Sequence, residues 1–217
     1  MRLRPATEAD RPALAALQAG SWRDAYAHAF PADWIATRLD AVMAAHWRDR
    51  PMDETALILV AEDAAGALSG FVALNLAPPA YVDNLHVRPG LRSGGVGRAL
   101  LAAAAEGLAA RGGAAAWLWV MESNAGARRF YRRLGGREGD RAEKDLFGVP
   151  VRAVRVSWED LPAALGAPRR GGAVSGNPAP GGIGRAPTAK ADRMTETDDY
   201  SDAISSVEEI IDDARNG

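Results

Sequence analysis

Three glycines within four positions, Gly94, Gly95 and Gly97, lie in the run VRPGLRSGGVGRALL (residues 87–101), between a strand-like segment and a helix-like one. Lacking β-carbons, they let the backbone turn tightly and gather several N–H groups in one place. At the start of a helix such groups face an anion, and a phosphate is the natural guest. The main-chain amides of Arg92, Ser93, Gly94, Gly95, Val96, Gly97 and Arg98 are the candidates, with the Arg92 and Arg98 side chains able to add charge. Two familiar phosphate loops are excluded, because neither G-x-x-x-x-G-K-[ST] nor a complete G-x-G-x-x-G is present; Leu100 stands where the last glycine would be. The spacing that fits is R-x-x-G-x-G, written on Arg92, Gly95 and Gly97.

A strand and two helices must position this loop. YVDNLHV (residues 81–87) alternates as a strand, placing Tyr81, Asp83, Leu85 and Val87 on one face and Val82, Asn84 and His86 on the other. The helix opened by the loop carries Leu100, Leu101, Ala104 and Leu108 as a buried stripe and stops at Gly112-Gly113. The strand AAAWLWV (residues 114–120) follows, and Asn124 then caps a helix whose Phe130 and Leu134 face inward. Asp83, on the strand, and Glu122, just after its neighbour, are carboxylates that could serve as general bases through water.

These blocks resemble the GNAT superfamily of acyl-CoA-dependent N-acyltransferases. The glycine loop matches its pyrophosphate loop, YVDNLHV its thioester-bearing strand, and NAGARRFYRRLG (residues 124–135) its second cofactor-contacting helix. They come in family order, and the resemblance extends over roughly residues 1 to 160. The resemblance implies acetyl-CoA as co-substrate. It implies that the Leu85, His86 and Val87 backbone pairs with the pantetheine arm and offers an N–H to the thioester oxygen. It also implies that Asn124 contacts the arm, and that the Tyr131 phenol assists the departing thiolate. The expected activity is acetyl transfer to a primary amine of a small molecule by direct attack on the thioester. Acetylation of a protein N-terminus or lysine, and a non-catalytic acyl-CoA-binding module, are the alternatives.

The rest of the chain is read in the same way. Arg2 to Pro5 alternates as a first strand, and Thr7-x-x-Asp10 opens a helix reaching about Gln18. Ser21 caps a second helix with Trp22, Tyr26 and Phe30 at four-residue spacing, read first as core packing and, by the resemblance, as a border of the acceptor cleft. Residues 31–50 form one further helix. ALILVA and LSGFVALN (residues 56–61 and 68–75) make a hairpin, and residues 145–147 and 151–158, joined by GVP, make a second. The fold class is α/β: a GNAT-like mixed, largely antiparallel sheet flanked by helices on both faces.

That domain is placed at residues 1–160, followed by a Pro/Gly-rich linker at 161–193, expected to be disordered, and an acidic tail at 194–217 with a short helix near Ser205. The tail also resembles the opening residues of 3,4-dihydroxy-2-butanone 4-phosphate synthase, and no activity is carried over from that. Residues 1–160 hold 20 basic and 19 acidic side chains, without the basic excess of a nucleic-acid binder. The 217-residue chain has no cysteine, which removes disulfides, thiolate catalysis and cysteine-bound metal. With three scattered histidines, no metal site is expected. No targeting segment or membrane span is recognised, so a cytoplasmic location without membrane partners is expected. Assembly is left open, with a homodimer among the options.

Overall fold

A computed structural model describes residues 1–166. Seven strands form one sheet in the order β1-β2-β3-β4-β5-β7-β6: β1 Arg2–Pro5, β2 Ala56–Glu62, β3 Leu68–Asn75, β4 Ala80–Val87, β5 Ala116–Met121, β6 Arg137–Leu146 and β7 Val149–Trp158. Every neighbouring pair is antiparallel except β4 and β5. This is the expected GNAT-like sheet. Helix α4 (Val96–Ala109) buries Leu100, Leu101, Ala104 and Leu108 on one face, against Leu57, Val72 and Val82. Helix α5 (Ala125–Arg133) completes that side with Tyr131. On the other side lie α1 (Arg11–Tyr26), α2 (Ala32–Thr37) and α3 (Leu39–Asp49).

The helices before β2 differ from the sequence expectation. Residues 11–26 form one helix, and Ser21 lies buried inside it, its hydroxyl 3.0 Å from His86 Nδ1. Its partner is therefore a strand 65 residues away and not a local backbone amide. The segment expected as a single helix breaks at Arg38 into α2 and α3. The Thr7-x-x-Asp10 signal does open a helical turn, with Asp10 accepting from the Thr7 amide at 2.7 Å and from Arg4 at 2.7 and 2.8 Å.

The second hairpin is longer than expected. Its turn is Phe147-Gly148, both at positive φ (56° and 79°), which is the two-residue turn that suits the twist of paired strands. A phenylalanine there is costly, and its ring explains why it is kept: it lies 5.6 Å from Trp22 and 5.9 Å from Trp34, stapling the hairpin tip to α1 and α2.

Packed chain continues past residue 160. Asp160 caps a short helix, α6 (Leu161–Ala164), and Leu161 and Leu165 join the main core, so the expected linker begins with residues that are folded. The rest of the expected linker, the acidic tail and its short helix lie outside the described residues. No helix among the described residues is long and apolar enough to cross a membrane.

Candidate active site

The sheet opens between β4 and β5. Only Ala80 with Ala116 and Tyr81 with Trp117 are paired, so β4 from Val82 to Val87 has no partner on its β5 side. Its other edge is paired with β3, where the Arg88 amide donates to Ser69 at 2.9 Å. In an antiparallel ladder, bonded and non-bonded pairs alternate. Counting back from Arg88, His86 is tied to Phe71, while the N–H and C=O groups of Leu85 and Val87 turn away from β3, into the opening. Of the three residues expected to present their backbone, Leu85 and Val87 do so and His86 does not.

At the upper end of the opening is the glycine loop. Gly95 adopts φ +81° as the residue preceding α4, and no side chain caps the helix. The amides of Val96, Gly97 and Arg98 precede the first intrahelical donor; the first bond runs from the Ala99 amide to the Gly95 carbonyl at 3.0 Å. These donors and the positive end of α4 converge on one spot. The Gly94 amide is diverted to the Leu91 carbonyl at 3.3 Å. Ser93 holds a positive φ of 71°, and Arg98 is exposed. Arg92 is turned toward α1, where it pairs with Asp24 and reaches the Ser21 hydroxyl at 3.3 Å.

On the β5 side, Asn124 caps α5 through its side-chain oxygen, which accepts from the Ala127 amide at 3.0 Å. Its amide nitrogen donates to the Tyr26 hydroxyl at 3.2 Å. Tyr131 lies in the buried cluster, edge-on to Phe130 and Trp158, and its hydroxyl makes no hydrogen bond among the described residues. Burial, and then the neighbouring Tyr26 phenol, push its pKa up. Tyr26 is also raised by burial. Both phenols stay protonated and available as donors at neutral pH.

The two carboxylates expected as bases are already engaged. A bulge interrupts the β3–β4 pairing, with Leu74 opposite Val82 and Ala73 opposite Asn84, leaving Asp83 as the extra residue. The bulge resets the alternation, so Asp83 and Asn84 share a face, and Asp83 lies with His86 and not with Leu85. There Asp83 forms an ion pair with Arg50 and accepts from Asn84 at 2.8 Å. Burial alone would raise its pKa; the Arg50 and His46 charges, with the hydrogen bonds from Arg50 and Asn84, together outweigh that and hold it below the usual carboxylate value. Such a group is a weak base. Glu122 meets Arg141 and Arg152, each at 3.0 Å, so both its oxygens are occupied. Arg141 pairs across from Val154 in the face that packs under α5, which puts Glu122 on the opposite side of the sheet from Asp83.

His86 is kept neutral, its pKa pulled down to about 4 mainly by burial. Arg92 can only donate to the Ser21 hydroxyl, whose own proton then goes to His86 Nδ1. A histidine with a folded pKa below its unfolded value of 6.5 stabilises fully above 6.5 and loses that contribution as pH falls toward 4. The denaturant midpoint of the native chain is therefore expected to drop between pH 7 and pH 5. In His86→Asn the drop is smaller, measured by chemical denaturation at both pH values. Among the described residues, no group of three or more His, Cys, Asp or Glu is placed to hold a metal ion.

A splayed parallel pair with a glycine-opened helix above it is the arrangement that the resemblance to acyl-CoA-dependent transferases implies, and comparison with known proteins shows the family. The acetyltransferase (GNAT) family model matches residues 19–136, more than half of the chain, and the chain belongs to that family. It is similar to YuaI, an uncharacterized N-acetyltransferase of Bacillus subtilis (strain 168), with 27% identity over 156 residues, 69% of this chain and 88% of that protein. It is also similar to the streptothricin acetyltransferase of Streptomyces lavendulae, 36% identical over 86 residues, 38% of this chain and 46% of that protein. The fold is shared with the PaiA N-acetyltransferase of Thermoplasma acidophilum, solved in complex with coenzyme A. The TM-score is 0.57 at 20% identity, with 70% of this chain and 96% of that one covered.

Proposed function

We propose that the chain transfers the acetyl group of acetyl-CoA to a primary amine of a small molecule, by direct attack on the thioester. The observation that carries this reading is the unpaired β4 edge from Val82 to Val87, ending at the orphan amides of Val96 to Arg98. The diphosphate sits on those amides, with Arg92, Ser93, Gly94 and Gly95 forming the rim of the loop. The pantetheine arm runs down the opening beside Leu85 and Val87, with Asn124 across from it. The Leu85 N–H meets the thioester oxygen, and a positioned donor of this kind contributes about 3 kcal/mol to an oxyanion transition state.

The amine nitrogen bonds to the acetyl carbon, and the carbon–sulfur bond breaks after the tetrahedral intermediate. The electron pair leaves on sulfur, which accepts a hydrogen bond from Tyr131. The amine's proton passes to water, since the Asp83 and Glu122 carboxylates are held by arginines. A small-molecule acceptor is supported by the similarity to an enzyme named for acetylating streptothricin.

Mixing the full chain with acetyl-CoA and a panel of amines, including a peptide with a free N-terminus, and following free thiol tests this directly. Thiol release with a small amine is the expected outcome. Release with the peptide alone moves the acceptor to proteins, and cofactor binding without release under any amine rejects catalysis in favour of a binding module.

A further inference from the structure

Five side chains outside the cofactor opening form one directed hydrogen-bonded chain that ends at its lower corner. Trp47, fully buried on α3, donates from its indole nitrogen to Gln18 Oε1 at 2.6 Å. Gln18, 5% exposed on α1, donates from Nε2 to Asn84 Oδ1 at 3.0 Å. Asn84, 7% exposed on β4, donates from Nδ2 to Asp83 at 2.8 Å, and Arg50 donates to the same carboxylate oxygen. The direction of every link is fixed by its ends. An indole N–H can only donate and an ionised carboxylate can only accept, so neither amide can flip without breaking a bond at both of its sides.

This chain grips the β-bulge. Asp83 is the extra residue of β4, and the unpaired edge begins one residue before it, at Val82. The bulge decides which backbone groups point into the opening. With Asp83 inserted, Leu85 and Val87 turn their amides away from β3; without the insertion, the phase shifts by one residue and His86 takes that direction. Core packing alone has no need of two buried amides in a row, and each costs free energy unless fully bonded.

We propose that Gln18 and Asn84 are positioning residues for acyl transfer: acting through Asp83, they lock the bulge so that the Leu85 N–H points at the thioester oxygen. The proposal rests on the acyl-transfer reading above and adds to it residues that touch neither cofactor nor acceptor. The ion pair with Arg50 becomes an anchor for the strand, which accounts for a carboxylate at the site that is held too acidic to serve as a base.

Two variants separate positioning from bulk stability. Gln18→Leu removes both links. Gln18→Glu keeps the size and the Trp47 bond but turns an acceptor toward Asn84, which must then flip its own acceptor toward the Asp83 carboxylate. Each full-length variant is compared with the native chain in three measurements. These are thermal melting, acetyl-CoA affinity by calorimetry, and the infrared carbonyl stretch of bound acetyl-CoA labelled with carbon-13 at the thioester carbonyl.

The native chain is expected to lower that stretch relative to free acetyl-CoA. In both variants the lowering is lost and turnover falls about tenfold or more, while affinity stays within about threefold, because the loop amides are untouched. Should Gln18→Leu fail to fold, Gln18→Glu alone carries the comparison. An unchanged stretch and turnover in a folded variant overturns the proposal. So does a parallel fall of affinity and turnover with the melting temperature, which would make the chain a structural brace only. Failure of the native chain itself to bind acetyl-CoA or lower its stretch rejects the acyl-transfer reading, and the positioning role with it. A native response that the variants share rejects the positioning role alone.

Discussion

Tyr131→Phe is expected to lower turnover at least tenfold while leaving acetyl-CoA affinity within a factor of about two. The phenol is buried against Phe130 and Trp158, so removing one oxygen leaves the packing intact. Its pKa is raised by burial, and a thiolate whose conjugate acid lies near 8.5 cannot draw a full proton from it. Its contribution is a hydrogen bond made only as negative charge collects on sulfur. An interaction present only in the transition state lowers turnover without weakening ground-state binding, which is the split the variant tests. Steady-state thiol release and calorimetry on the same preparation measure the two halves. Equal turnover in Tyr131→Phe would leave the hydroxyl without a role and shift attention to Tyr26, the neighbouring phenol bonded to Asn124.

Gly95→Val is expected to weaken acetyl-CoA binding about a hundredfold or more. Gly95 stands at φ +81°, and a β-branched side chain is strongly disfavoured there. The loop has to rebuild its turn, and the amides of Val96, Gly97 and Arg98 no longer converge. A Cβ at Gly95 would meet nothing within 4 Å, so the loss is conformational and not a clash. The melting temperature should accordingly fall by only a few degrees, since α4 keeps its buried stripe. A variant that binds acetyl-CoA as tightly as the native chain would show that the diphosphate is held elsewhere.

How much of this was legible in the sequence depends on the range of the interactions. The loop, the α4 stripe from Leu100 to Leu108 and the Asn124 cap are local signals, decided within one or two turns, and each appears where the spacing puts it. Ser21 misled because its hydroxyl, a good local cap, bonds instead to His86 on the strand that α1 packs against. The start of β6 was missed because REGDRAEKDL has no apolar alternation; as an edge strand it is held by pairing with β7 and by ion pairs such as Arg128–Glu138 at 2.7 Å. Phe147 occupies a turn position that favours glycine or asparagine, and only the rings of Trp22 and Trp34 explain it. Most consequential was Asp83. Strict alternation put it on the face of Leu85 as a candidate base, and a one-residue bulge, invisible in the residue pattern, sends it to Arg50.

The measurement that bears most directly on the central claim is a calorimetric titration of the native full-length chain with acetyl-CoA. Saturable one-to-one binding in the micromolar range is predicted, matched by coenzyme A and lost when pantetheine, which lacks the diphosphate, is used in its place. A well-folded preparation that gives no saturable heat with acetyl-CoA, or that binds pantetheine equally well, would contradict the assignment of the Gly95 turn as the diphosphate grip.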